Sequence, residues 1–470
     1  MFFNSSEMGQ KHMKYPGERP LFTNQELKKL IVPMIIEQML LISVGMIDTV
    51  MISGVGEAQV SGVSLVDMIN NLIICIFTAM ATGGTVIVSQ FLGAKQPGQA
   101  RKSAAQLIVI TFLIALGIMG LCLGLHQQII SLFFGRIEPD VNRACVDYFR
   151  ITALSFPFIA VYNCCAALFR AIGNSKISMY VSFLSNLLNA VGNYLLIYVT
   201  GWGVSGAAAS TTISRFLSML VMLALLTSRK NVVYISLRER FRFDFPLIRR
   251  ILYIGIPSSV ENSIFELGRI LVVSIISGFG TTQIAANAVA NTMDGMGCIM
   301  GKSMGLAMLA VIGRCVGTGD YEVVKYYIRK CMKITYVIHA AWNALILGTL
   351  PLSILLFHLS PETQRLAIIL IFIHNGCGIV LWPTAFTFPN ALRAANDVRF
   401  AMVMSISSMI VFRISLSLVL GQMMGMGAIG VWIGMIVDWI ARATGFLLRY
   451  RSGKWQVYRA ESAPARPAVK

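Results

Sequence analysis

The residues best able to do chemistry in this chain are carboxyls, amides and a histidine set inside long apolar runs. Asp48 lies roughly 20 residues into the first run. An ionisable group in hydrocarbon is costly and usually faces a bundle interior, so each one is a functional candidate. A carboxyl removed from water can be neutral in one state and charged in another, which is the chemistry of reversible proton binding. Asn189 and Asn193 stand four apart and therefore share one helix face. They are candidates for ion ligation or for hydrogen bonds between helices. In the second half, Glu261 and Glu266 share one run, and Arg269 follows Glu266 by three residues, the spacing of an intrahelical ion pair. Asp67 and Asp294 fall about a third of the way into their runs. Arg413 is expected to neutralise Asp438 or Glu266. His374 either titrates near neutral pH or packs as a hydrogen-bonded ring. No phosphate-cradling loop, His-x-x-x-His pair or nucleophile elbow accompanies these groups, which argues against an enzyme.

The elements that must position them are membrane helices. The 470 residues are 56% hydrophobic and only 13% charged, where about 25% charged is usual for a soluble chain. Apolar stretches long enough to span a bilayer cover 30–53, 59–92, 103–125, 144–169, 177–199 and 204–228. A second set covers 251–277, 283–316, 331–357, 365–392, 400–421 and 427–448. The expectation is an all-α membrane protein of about twelve helices. The net charge of +18 does not indicate a nucleic-acid partner, because its distribution follows topology. Lys11, Lys14, Arg19, Lys28 and Lys29 precede the first span, Lys95, Arg101 and Lys102 follow the second, and Arg229, Arg238, Arg240 and Arg250 lie between the halves. Lys325, Arg329, Lys330, Arg449, Lys454 and Arg459 continue the series, whereas the opposite loops carry little beyond Arg136, Arg143 and Arg365. Positive residues concentrate on the cytoplasmic side, which sets both termini there. No cleavable leader is expected, because the first 29 residues are polar and precede a full-length span. The nine cysteines lack metal-type spacing and read as core filler.

The two halves repeat. Pro33-x-x-x-Glu37 recurs as Pro257-x-x-x-Glu261, an offset of 224 residues (33 to 257). Gly54, Gly56, Gln59 and Gly93 recur as Gly278, Gly280, Gln283 and Gly317, and Gly201-x-Gly203-x-x-Gly206 as Gly425-x-Gly427-x-x-Gly430. One residue off that register, Arg170-Ala171 matches Arg393-Ala394. The expected organisation is an N-terminal tail at 1–29, a six-helix lobe at 30–228, a basic linker at 229–250, a second lobe at 251–450 and a tail at 451–470. Duplicated bundles of this kind place their sites inside or between the repeats. Glu37 and Glu261, each one turn beyond a helix-bending proline, suit a scaffold or gate.

With these pieces in hand, the chain resembles the multidrug and toxic compound extrusion (MATE) family. The resemblance is carried by Ile47-Asp48-Thr49-Val50-Met51, by Gly93 with Arg101, by Arg170-Ala171-Ile172-Gly173-Asn174 and by the Gly201-x-Gly203-x-x-Gly206-Ala207-Ala208 entry to the sixth span. It covers roughly residues 25–455. It implies two six-helix lobes about a pseudo-twofold axis along the membrane normal, with a central cavity open alternately to either side.

The same resemblance groups Asp48, Asn189, Asn193 and Thr211 as the cation-coupling site of the first lobe. The family's Na⁺-binding pattern often has a second carboxylate where this chain has Asn193. A proton needs only Asp48, and Na⁺ would take Asp48 with amide and hydroxyl oxygens. Glu261, Glu266, Asp294, His374 and Arg413 are candidates for the substrate cavity, and the tenth helix lacks the carboxylate that some branches pair with the seventh-helix acid. The expected function is a secondary active multidrug antiporter of the plasma membrane, exporting organic cations or amphipathic compounds in exchange for H⁺ or Na⁺. It would act as a monomer, without a cofactor or a nucleic-acid partner. The alternative is a lipid-linked oligosaccharide flippase of related architecture, which needs several cavity cations for pyrophosphate. Arg269 and Arg413 are the deep candidates for that role.

Overall fold

Apolar runs in a bilayer must satisfy their backbone polar groups internally, and helices do so within one segment. The computed structural model describes residues 21–135, 137–236 and 242–457, and among them there is helix but no strand. Of the basic residues used above for topology, Lys11, Lys14, Arg19, Arg136, Arg238, Arg240 and Arg459 lie outside the described residues.

The helices line up as twelve rods among the described residues. The first six are α1 (Asn24–Ser53), α2 (Glu57–Gly93), α3 (Pro97–Gly124), α4 (Pro139–Ala153 and Phe156–Ile172, bent by 50°), α5 (Ser175–Asn193, continued by Tyr194–Val199) and α6 (Gly203–Leu226). The second six are α7 (Phe245–Ser277), α8 (Thr281–Gly297 and Ile299–Gly317), α9 (Tyr321–Phe357), α10 (Pro361–Ala394), α11 (Val398–Met423) and α12 (Gly427–Arg451). A short helix, His126–Phe134, joins α3 to α4. Among the described residues, eight helices are long and apolar enough to cross a membrane on those grounds alone, and the bent α4 makes nine. Of the remaining rods, α5 and α7 dilute their apolarity with polar and charged groups, whereas α1 carries a single charge, Glu37, over its apolar stretch 30–47. Glu37 and Asp48 sit on α1, Asn189 and Asn193 on α5, and Glu261, Glu266 and Arg269 on α7.

Local sequence chemistry starts and bends these rods. The Thr23 hydroxyl accepts from the Glu26 N–H at 3.2 Å while the Glu26 carboxylate accepts from the Thr23 N–H at 2.7 Å. That reciprocal cap satisfies two donors at the start of α1. Pro33 inside α1 and Pro257 inside α7 each remove a backbone donor at the same repeat position.

One core joins both halves at the end of the molecule that carries residues 22 and 455, drawing on Leu27, Phe169, Ile312 and Phe446 among others. Toward the opposite end the halves keep separate cores. One is built around Phe77, Phe149 and Phe156, the other around Trp382, Trp432 and Trp439. At the joined end the contacts obey the repeat. The Gln90 side chain donates to the Ala394 carbonyl at 2.9 Å, and Arg314, its repeat counterpart, donates to the Ala171 carbonyl at 2.6 Å. Between the ends α2 lies along α7, where the Ser259 hydroxyl donates to the Ile76 carbonyl at 3.2 Å. Two six-helix bundles thus share a floor and separate above it.

Candidate functional site

One turn past Pro33, Glu37 meets Arg170 of α4 at 3.1 Å and accepts from Ser178 at 2.8 Å. One turn past Pro257, Glu261 meets Arg393 of α10 at 2.6 Å. Both pairs are buried. Glu261 is therefore tied into its own lobe rather than presented to a cavity, and its partner is held in place by Asn390 at 2.8 Å.

The first lobe holds a polar cluster at the depth of Asp48. Asn193 donates its amide to Asp48 Oδ1 at 2.6 Å and approaches Asn189 Oδ1 at 3.4 Å. Asn189 donates to Thr211 Oγ1 at 3.1 Å. Asp48, Asn189, Asn193 and Thr211 thus form one hydrogen-bonded chain across α1, α5 and α6. Asn193 is only 1% exposed, and its own Oδ1 has no hydrogen-bond partner. A buried amide oxygen without a donor is expensive, and it sits beside a carboxylate. Asp67 of α2 extends the cluster, accepting from Tyr148 at 3.3 Å and Asn70 at 3.4 Å. Arg215 of α6 acts electrostatically on both Asp48 and Asp67 and donates to Ser155 at 2.7 Å. Sequence reasoning did not connect Asp67 with Asp48, and it missed Tyr148 and Arg215. The signal for Arg215 was present: it is a lone cation in an apolar run, four residues after Thr211 and so on the same face.

The second lobe contains two further clusters. His374 Nε2 lies 2.5 Å from Asp294 Oδ1, and Cys298 donates to the same oxygen at 3.0 Å. The ring is held by Asn375 at 2.8 Å and packs edge-on against Trp432 and Trp439. His374 occupies a π-helical stretch of α10, and Cys298 occupies the break in α8. Such irregular turns recur at functional positions because they re-aim side chains and free backbone groups. Deeper still, Asp438 is fully buried, with Arg442 at 2.9 Å and the Ser408 hydroxyl at 2.5 Å. Arg413, also in a π-helical stretch, stops 4.0 Å from Asp438.

A cavity of about 220 Å³ lies between the lobes. Met68 and Asn71 of α2 form one side, and Glu266, Arg269, Asn287, Arg413 and Trp432 lie among the residues of the other. Glu266 and Arg269 pair at 3.4 Å with both side chains partly open to the cavity. Of the candidates drawn from the sequence, Glu266 and Arg413 line this space. Asp294 and His374 sit behind Trp432, Glu261 lies in its ion pair, and Asp48 belongs to the cluster within the first lobe.

Twelve apolar rods in two repeated bundles, buried charges within each bundle and a cavity between them define a multi-pass membrane transporter. The chain belongs to the MatE family, whose pattern matches it twice, at residues 33–195 and 257–419, once per repeat. It is 30% identical to the uncharacterized transporter YisQ of Bacillus subtilis over 448 residues, covering 93% of this chain and 96% of that protein. It is 24% identical to the probable multidrug resistance protein NorM of Thermotoga maritima, covering 94% and 95% of the two chains. Its fold matches the outward-facing conformation of a multidrug resistance MATE family transporter of the MOP superfamily, with a TM-score of 0.85, 22% identity and coverage of 92% and 96%. Members of the family are transporters rather than enzymes.

Proposed function

We propose that this chain is a secondary active antiporter that exports amphipathic small molecules in exchange for H⁺, with Asp48 carrying the proton. The observation that carries this reading is the pair formed by Asp48 and Asn193. With Asp48 ionised, the Asn193 amide donates to it and the amide oxygen is left without a donor. With Asp48 protonated, rotating that amide by half a turn lets Oδ1 accept the new O–H, while the NH₂ group turns toward other acceptors. Each charge state thus selects its own hydrogen-bond pattern across α1 and α5. A coupling ion must bind one conformation better than another, since equal affinity shifts nothing. A local pattern that differs between charge states supplies that difference.

Na⁺ is the alternative ion. It would take Asp48 with the oxygens of Asn189, Asn193 and Thr211, one charge among neutral donors. The lack of a second carboxylate in contact with Asp48, where Asn193 stands, favours the proton. Amphipathic compounds, rather than organic cations alone, fit a cavity wall that combines apolar side chains with Glu266, Arg269 and Arg413.

The basic residues Lys95, Arg101, Lys325, Lys330 and Arg449 flank the joined end, which supports a cytoplasmic orientation of that end in a bacterial-type cell membrane, with both termini expected on the same side. The cavity then opens outward. The lobes would run over 30–228 and 251–450, with 229–250 as linker, and one chain would suffice for transport. Drug efflux from proteoliposomes, followed under a pure pH gradient and then a pure Na⁺ gradient, tests the reading. It predicts transport under the first and none under the second, and the reverse would refute it.

A further inference from the structure

Arg413 is a surplus cation. It is 8% exposed, it lines the cavity, and its Nε has no hydrogen-bond partner. The charges acting on it from the packed elements are Asp438 and Arg442 on α12, Arg269 on α7 and Asp294 on α8. Each carboxylate in reach already has a closer partner. Asp438 is engaged by Arg442 at 2.9 Å and Ser408 at 2.5 Å, Asp294 by His374 at 2.5 Å, and Glu266 by Arg269 at 3.4 Å. Asp438 Oδ2 is itself without a hydrogen bond, yet Arg413 stands off from it at 4.0 Å, beyond hydrogen-bond reach. The guanidinium instead lies over Phe265, 5.5 Å from the ring centroid. A buried guanidinium whose nearest carboxylate lies 4.0 Å away and is already paired with another arginine costs more than a fully hydrogen-bonded one, and its fork geometry fits an oxyanion.

We propose that the cavity between the lobes binds the anionic head of an aromatic carboxylate- or sulfonate-bearing amphipath, with Arg413 and Arg269 taking the oxyanion and Trp432 meeting the ring. This rests on the reading of the chain as an exporter of amphipathic small molecules and names the class of substrate. Charge-assisted contacts of this kind carry roughly tenfold or more in affinity when water is excluded. Asn287 and Asn291 on the same side and Asn71 on the facing side add neutral polar groups, while Val272, Val273 and Met435 supply the apolar body of the site.

The test uses three pyrene probes of matched length, 1-pyrenebutyrate, its primary amide and 1-pyrenebutylamine, binding to the full-length protein in phosphatidylcholine nanodiscs, with empty discs subtracted. The native protein should bind the carboxylate about tenfold more tightly than the amide and the ammonium weakest. Arg413→Gln should bring the carboxylate down to the level of the amide and leave the amide's affinity within about twofold, and Arg413→Lys should keep part of the preference. Equal binding of the three probes by the native protein overturns the proposal without any variant. So does an Arg413→Gln protein that melts earlier but keeps the preference, which would make Arg413 only the partner of Asp438. Loss of the preference in discs containing phosphatidylglycerol would assign the oxyanion site to a lipid headgroup and overturn the solute reading. Normal H⁺-coupled export of the amide with no carboxylate preference would sink this inference alone and leave the antiport reading standing.

Discussion

Gly93 and Gly317, equivalent positions of the two repeats, each press against the backbone of the other's helix. A Cβ on Gly93 would lie 2.0 Å from the Arg314 carbonyl oxygen, and a Cβ on Gly317 would lie 2.0 Å from the Gln90 carbonyl oxygen. The ends of α2 and α8 therefore cross at backbone contact, and this crossing closes the joined end of the molecule. Any state that opens that end has to separate these two residues.

Gly317→Ala is expected to force the crossing apart at a cost of order 1–3 kcal/mol, the usual scale for overpacking. Cys315, buried two residues away, reports the event. Maleimide labelling of Cys315 should rise several-fold in the variant, measured against a Cys315→Ser background that removes the signal. Labelling as slow as in the native protein would show that the crossing is not what closes this end.

The buried pairs Glu37–Arg170 and Glu261–Arg393 make a second matched set. Glu261→Gln leaves Arg393 buried without its counter-charge, and breaking such a pair costs about 3–5 kcal/mol. Glu37→Gln should cost less, because Ser178 can still serve the amide. Thermal melting of both variants checks the order. A double variant, Glu261→Gln with Arg393→Met, should recover most of the loss. Equal melting of native and Glu261→Gln proteins would remove these pairs from the account.

Much of this was legible in the sequence, for physical reasons. Apolar length and the 224-residue repeat specify helices and lobes, because a bilayer leaves a chain few alternatives. The same repeat points to Glu37, Glu261, Gly93 and Gly317. Asp48, Asn189 and Asn193 could be singled out as polar groups in apolar runs. The nearness of Asp67, Tyr148 and Arg215 could not, because they come from α2, α4 and α6 and share no sequence period. Nor could a sequence show that Glu261 is consumed by Arg393, or that Arg413 stops short of Asp438. Both depend on ångström-scale offsets, and the π-helical turns that set the places of His374 and Arg413 leave no simple pattern.

Asn193 separates proton from sodium coupling. Asn193→Asp places a second carboxylate where an amide now donates to Asp48 at 2.6 Å. Two carboxylates at that distance cannot both stay ionised without a cation between them. Added NaCl, compared with choline chloride at equal ionic strength, should raise the melting temperature of the variant and leave the native protein unmoved. A native protein stabilised by Na⁺ to the same degree would contradict proton coupling.

The most direct test of the central claim compares exchange with uphill export in Asp48→Asn. The substitution keeps the shape, offers one acceptor and one donor group as the neutral acid does, and removes the titratable charge. Proteoliposomes with substrate at equal concentration on both sides report exchange of labelled for unlabelled compound, which needs alternating access but no ion. The same vesicles with an imposed pH gradient report coupled accumulation. The account predicts that Asp48→Asn exchanges substrate within about threefold of the native rate while pH-driven accumulation falls at least about tenfold, as expected when the ion no longer discriminates between conformations. Undiminished pH-driven accumulation by Asp48→Asn would contradict it.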